Sequence, residues 1–240
     1  MIFADYALLP DGWVKNVRMG LKDGLIDTLV DGATAQPGDS HVSTLLPALS
    51  NLHSHSFQRA MAGMTEHRVA GRDSFWTWRD LMYRFLDRLT PEQMEAIAAL
   101  VFMEMQDAGY AAVGEFHYVH HDKDGKHYSN LSEMGERMIA AAKNAGINIT
   151  LVPIFYQKGG FGQAPNEGQK RFISPTVEDY FKLFEASQKS TQLYEKANIA
   201  LGIHSMRGVE PTDILKVIEQ GDSTIPFHIH ISEQLKEIED

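Results

Sequence analysis

Residues 43–61 read STLLPALSNLHSHSFQRAM. An apolar run gives way to polar residues where His53 and His55 stand two apart, as a buried strand does where it ends. On extended backbone, residues i and i+2 project to one side, so two imidazoles at this spacing can meet at one point. A metal ion would explain such a pair. So would a hydrogen-bonded core histidine beside a solvated turn histidine, and the spacing alone leaves both open.

The sequence on either side sets the fold. Upstream, residues 1–45 read as short strands broken by the turns Pro10-Asp11-Gly12 and Lys22-Asp23-Gly24, a small β-sandwich unit or the N-terminal half of one. Downstream, residues 46–240 alternate apolar strands with amphipathic helices. The strands are STLLPALSNLHSH, YAAVGEFHYV, INITLVPIFY, NIALGIHS and TIPFHIHIS. Between them lie helices over SFWTWRDLMYRFLDRL, TPEQMEAIAALVFMEMQDAG, SEMGERMIAAAKNAG, TVEDYFKLFEASQKSTQLYEKA and EPTDILKVIEQGD. Thr90, Pro91 and Gln93 form a helix start and Gly109 a stop. Such alternation predicts parallel strands with helical crossovers, in a (β/α) barrel or a doubly wound sheet. Histidines favour the barrel: His53 and His55 end the first barrel strand, Glu115, His117 and Tyr118 the second, His204 the fourth, His228 and His230 the fifth. In a barrel those ends form one rim, so imidazoles from several strands converge on a metal, whereas the core-histidine reading needs a separate coincidence on each strand.

Composition narrows the function classes. The 240 residues are 43% hydrophobic and 22% charged, enough for a large core, with a net charge of −10 and no Lys/Arg-rich block, so neither nucleic acid nor an anionic membrane is an expected partner. No apolar run reaches the length of a membrane span and the N-terminus lacks the pattern of a secretory signal, which predicts a cytoplasmic protein. Cysteine is absent, leaving the eleven histidines and the carboxylates as metal ligands.

The stretch FHIHISEQ, 227–234, adds chemistry. Glu233 follows His230 by three residues, close enough to serve a metal-bound water as general acid and base without ligating the metal; its plainer reading is a charge at a helix N-terminus. His228, on the same strand face as His230 but a layer deeper, reads as barrel packing or as a support behind the metal ligands. The glycine-rich GGFGQAPNEG, 159–168, matches neither a phosphate-binding nor a dinucleotide motif and reads as a mobile loop over the mouth of the site. His120, His121 and His127 read as members of a polar, solvated loop.

These features together resemble the amidohydrolase superfamily, in particular its mononuclear deaminase branch: His-x-His after the first strand, a histidine on the fifth, and Glu three residues on. More narrowly, NLHSHSFQRAMAGMTE, DSFWTWRDLMY, GEFHYVHHD and LGIHSMRGV look like the formimidoylglutamate deiminases, and the likeness runs through nearly the whole chain. The resemblance implies a (β/α)8-type metal-dependent hydrolase barrel with one divalent metal, zinc first and iron or manganese as alternatives. His53, His55 and His230 are then the implied ligands, together with an aspartate after strand eight. Glu233 is the implied proton shuttle, and Gln58, Tyr118, His204 and Arg207 the implied substrate contacts. The implied reaction converts N-formimino-L-glutamate to N-formyl-L-glutamate and ammonia in histidine degradation, and the implied assembly is a homodimer. Arg207, three residues after the rim residue His204, can hold a substrate carboxylate bidentately.

The sequence stops at QLKEIED, within the helix expected after strand five. The fold is therefore expected to be a barrel cut short after five β/α units, without the aspartate ligand and a sixth-strand histidine, and with two strand edges exposed. Two other functions stay open: deamination of a cyclic base such as guanine or a triazine, and an inactive fragment that keeps a metal-binding remnant.

Overall fold

The structure is a computed structural model that describes residues 1–64 and 75–239. Thr65, Glu66, Asp73 and Ser74, part of the motifs quoted above, lie outside the described residues, as does the expected first residue of the SFWTW helix.

The first compact unit spans Met1–Leu49. It is a four-stranded sheet of β1 (Ile2–Leu9), β2 (Gly12–Lys22), β3 (Leu25–Val30) and β4 (Ser40–Leu45) in the order β3-β2-β1-β4. The two predicted turns join antiparallel strands, with Gly12 at φ 118° and Gly24 at φ 78°, a region only glycine enters freely. β4 returns parallel to β1, and Arg18 grips Asp39 just before it through two hydrogen bonds of 2.8 and 2.9 Å.

The second unit, Ser50–Asp240, carries the alternating pattern. Its elements are β5 (Leu49–Ser54), α1 (Phe75–Leu86), α2 (Pro91–Asp107), β6 (Tyr110–His117), α3 (Glu133–Ala145), β7 (Asn148–Phe155), α4 (Val177–Thr191), β8 (Ala197–Ile199), β9 (Leu201–Ser205), α5 (Pro211–Gln220), β10 (Phe227–His230) and α6 (Leu235–Glu239). The sheet order is β10-β9-β7-β6-β5, with β8 beside β7, and the β6–β7, β7–β9 and β9–β10 pairs are parallel. A doubly wound sheet reverses its strand order at a switch point, whereas this one steps outward in chain order, as a barrel wall does.

Burial follows from that order. The inner strands β6, β7 and β9 are covered on both faces, as parallel strands require, by two apolar clusters. One joins Met94, Ala98 and Phe102 of α2 and Met134, Met138 and Ile139 of α3 to β6 and β7. The other packs Tyr180 and Phe184 of α4 and Val217 of α5 on Phe155 and Ile203. The outermost strands β5 and β10 are far more exposed, with Leu52 74% and Phe227 38% accessible. Gly114 lets β5 and β6 close up, because a Cβ there would lie 2.8 Å from the Leu52 carbonyl oxygen. Thr90 and Gln93 form the expected capping box of α2, and Gly109 (φ 90°) and Gly146 (φ 86°) end helices in left-handed conformation.

Three local readings change. STLLPALSNLHSH is not one strand: it divides at Leu46-Pro47-Ala48 into β4 and β5, where proline withholds an N–H from the ladder and restricts the residue before it. NIALGIHS divides at Ala200 into β8 and β9. The glycine-rich loop carries a bridge between Gly160 and Gln163, a capped turn at Glu167–Gln169, and a hydrogen bond from the buried Gln169 Nε2 to the Tyr156 hydroxyl (2.8 Å). His120 and His121 are buried, not solvated: their Nε2 atoms bond the carbonyls of Ile154 (3.0 Å) and Ile173 (2.8 Å), and burial holds both pKa values below the ordinary range. His127 is exposed and stacks on His121.

Candidate metal and substrate site

A cavity of about 430 Å³ opens at the C-terminal ends of the second unit's strands, within the size range of small-ligand pockets. The end of β5 and the turn after it supply His53, His55 and Gln58; the loop after β6 supplies Tyr118; β9 and the loop after it supply His204 and Arg207. β10 and the turn after it supply His230 and Glu233. The eight residues that the resemblance implied for the site thus border one cavity, whereas Glu115, His117 and His228, also expected at strand ends, are not part of its lining.

Three imidazoles meet within it. His53 Nε2 lies 3.2 Å from His55 Nε2 and 3.0 Å from His230 Nε2, and among the described residues these three form the only group of potential ligands for a metal. A ring stack would bring faces together; here nitrogens converge, with ring planes at 83° and 71° to each other. His55 Nδ1 is 2.9 Å from the Phe116 carbonyl, an acceptor, so the proton sits on Nδ1 and the Nε2 lone pair faces the other two rings. Burial lowers the pKa of His55 to about 3 and of His230 to about 4, and lowers that of His53, with the neighbouring histidines adding to each shift. Neutral imidazoles with converging lone pairs are what a cation needs. Around a tetrahedral ion with bonds of about 2.0–2.1 Å, nitrogens stand about 3.3–3.4 Å apart, a few tenths of an ångström from the spacings seen, so the three residues fit a divalent metal. His228 is half-buried, and burial lowers its pKa.

Around this cluster the walls are polar and aromatic. Gln58 Nε2 donates to the Tyr118 hydroxyl (3.2 Å), which is buried and held protonated well above its ordinary pKa. His204 Nδ1 lies 2.9 Å from the Ser205 hydroxyl, and burial keeps its ring neutral. Arg207 faces the cavity but is already engaged: its guanidinium pairs with Glu233 and, at 2.7 Å, with Glu237 of α6. A ligand carboxylate at Arg207 must share it with or displace these two. Glu233 follows Ser232 (φ 55°) and its backbone N–H donates to Glu237 Oε2 (2.9 Å), so the turn that presents it is held by the same residue that holds Arg207.

Sequence reasoning passed over part of the wall. Tyr156 follows the end of β7, and the rule that selected the other strand ends would have found it. Trp78, Arg79 and Tyr83 come from α1, where the helical repeat marks a buried face but not a cavity. Glu115, expected on the rim from its place near a strand end, instead lies behind His55, fully buried, and burial pushes its carboxyl up to about 7.

The model of the Amidohydrolase family matches residues 44–240. The chain belongs to the amidohydrolase family. Residues 1–42 of this amidohydrolase match the model described as the formimidoylglutamate deiminase HutF N-terminal domain. The whole chain is 47% identical to formimidoylglutamate deiminase of Pseudomonas aeruginosa, covering 53% of that protein. Over its full length it also superimposes on the crystal structure of an amidohydrolase from Brucella melitensis, at TM-score 0.93 and 47% identity, covering 53% of that chain. At 15% identity, and so in fold alone, this amidohydrolase resembles a mutant of atrazine chlorohydrolase TrzN from Arthrobacter aurescens TC1 complexed with zinc and atraton. There the TM-score is 0.70, with 98% of this chain and 54% of that one covered. The chain spans about half the length of the curated relative it matches.

Proposed function

We propose that this chain carries the metal-binding part, and much of the substrate-binding part, of a metal-dependent iminohydrolase that converts N-formimino-L-glutamate and water to N-formyl-L-glutamate and ammonia in histidine degradation. The observation that carries this reading is the convergence of His53, His55 and His230 beside Glu233 and Arg207 in a chain 47% identical to a formimidoylglutamate deiminase. In this reading the three histidines hold one divalent cation, with zinc preferred because distant structural relatives were solved with zinc, and iron or manganese as alternatives. Such a cation supplies Lewis-acid activation of water at neutral pH. Glu233 takes a proton from the attacking water and delivers it to the departing nitrogen, so that C–N cleavage releases ammonia. Arg207 orients a substrate carboxylate while Gln58, Tyr118 and His204 align the formimino group by hydrogen bonding. Residues 1–45 are read as half of a small β-sandwich and residues 46–240 as the barrel domain; β3, exposed at every residue, fits a sheet edge without a covering layer. A cytoplasmic homodimer acting on a small molecule belongs to the same proposal. Among the described residues no helix is long and apolar enough to cross a membrane.

Ammonia release from N-formimino-L-glutamate, guanine and a triazine is the test, run on the protein that contains this chain. Turnover of the first alone is expected, with E233Q losing at least 100-fold in kcat while retaining metal. Preference for a cyclic base would replace the substrate assignment, and full activity in E233Q would remove Glu233 from the reaction.

A further inference from the structure

The proposed reaction gives Glu115 no role, yet its position is unusual. It lies in β6 with 1% of its surface accessible, and its Oε1 accepts hydrogen bonds from both the backbone N–H and the hydroxyl of Ser56, each 2.8 Å long. Its other oxygen, equally buried, has no hydrogen-bond partner. Ser56 opens the turn Ser56–Met61, and His55, at the position before it, makes no side-chain cap, so the Ser56 N–H would otherwise be an unpaired buried donor. The next residue of β6, Phe116, accepts the His55 Nδ1–H through its carbonyl. Consecutive residues of β6 thus grip consecutive residues of the loop, one fixing the backbone at Ser56 and the other the imidazole at His55. A carboxyl without a counter-charge is costly in an apolar core, and an apolar residue there would leave the Ser56 N–H unsatisfied.

We propose that Glu115 is a positioning residue for the metal-binding loop: by anchoring Ser56 it sets the placement of His55 and so the affinity of the three-histidine site for a divalent cation. The proposal rests on the reading that His53, His55 and His230 bind a metal. Partners that orient a ligand from behind typically alter metal affinity 10- to 100-fold when removed.

The experiment measures zinc dissociation constants by competition with a chelating dye, on the protein that contains this chain. E115M fills a similar volume but offers Ser56 no oxygen acceptor, and it is expected to weaken zinc binding 10- to 100-fold while remaining folded by circular dichroism. E115Q keeps the acceptor oxygen and should stay within about threefold of wild type. T90A, which weakens α2 away from the site, should leave the constant unchanged and so separates positioning from general loss of stability. If wild type binds no zinc, the metal reading falls and this proposal with it. If wild type binds zinc and E115M binds it equally well, Glu115 has no positioning role while the histidine site stands. Should E115M fail to fold, S56A, which strips one of the two donors from Oε1, must still weaken binding at least threefold; an unchanged constant overturns the proposal.

Discussion

Replacing Glu115 with glutamine will remove a specific, pH-dependent part of the protein's stability. Burial raises the Glu115 carboxyl from its ordinary value of 4.5 to about 7, against the opposing pull of the Ser56 hydrogen bonds and of the nearby Ser54 side chain. Between those values the folded chain keeps a proton that the unfolded chain has released. Stability falls with rising pH wherever the native state binds more protons, so this contribution is fully present below 4.5, drains away as pH rises toward 7, and is flat above. Each tenfold step corresponds to about 1.4 kcal/mol, which puts the whole swing on the order of 3 kcal/mol. The buried histidines work in the other direction. His55 and His117, lowered to about 3, and His121, lowered to about 4, stay neutral in the fold while the unfolded chain protonates them near 6.5, so their share of stability grows as pH rises to that point. The raw pH profile of the wild type therefore sums opposing slopes. The difference between wild type and E115Q cancels the histidines and leaves the carboxyl. Urea unfolding of both proteins, followed by circular dichroism with chelator present from about pH 4.5 to about pH 8, should show that difference shifting against the wild type by on the order of 3 kcal/mol, mostly between about pH 5 and about pH 7. A difference flat to within about 0.5 kcal/mol across that range would refute the claim that Glu115 holds its proton in the folded state.

Two further substitutions probe the packing behind the cavity wall. Arg171 is buried and donates to the carbonyls of Leu86, Leu89 (2.9 Å) and His121 (2.9 Å); the Leu86 carbonyl also accepts the Leu89 N–H (3.2 Å), so R171M leaves the Leu89 and His121 carbonyls without their donor at about 1–3 kcal/mol each, partly offset because a guanidinium no longer has to be desolvated. A net loss of about 2–5 kcal/mol in urea unfolding is expected, and no loss would mean that these carbonyls find other donors. At Gly168 a Cβ would sit 2.3 Å from Tyr83 Cδ2, so G168A should destabilise by about 1–3 kcal/mol and raise KM by displacing a ring of the cavity wall. An unchanged melting temperature would show that the turn yields without strain.

What sequence reasoning captures here is local periodicity and its direct consequences. Strand ends at His53, His204 and His230 follow from where apolar runs stop, and the one-rim geometry of a barrel then gathers residues 177 positions apart into a single cluster. The start of α2 was equally legible, because Thr90, Pro91 and Gln93 satisfy their own backbone within one turn. The errors fall where a residue's partner is remote. His120 and His121 stand in a polar-looking stretch, and only the carbonyls of Ile154 and Ile173, some 34 and 52 residues on, make their burial tolerable. Pro47 reads as one more apolar residue until two sheets compete for the segment around it. Arg207 shows the same limit at the site itself: strand-end position predicts that a cation faces the cavity, but not that Glu237, 30 residues on, already shares its charge. A carboxylate ligand therefore meets a guanidinium flanked by two internal carboxylates, and its binding must be coupled to the turn that presents Glu233. Under the proposed function, grip on the substrate and placement of the proton carrier are then one event, because Arg207 and Glu237 belong to both.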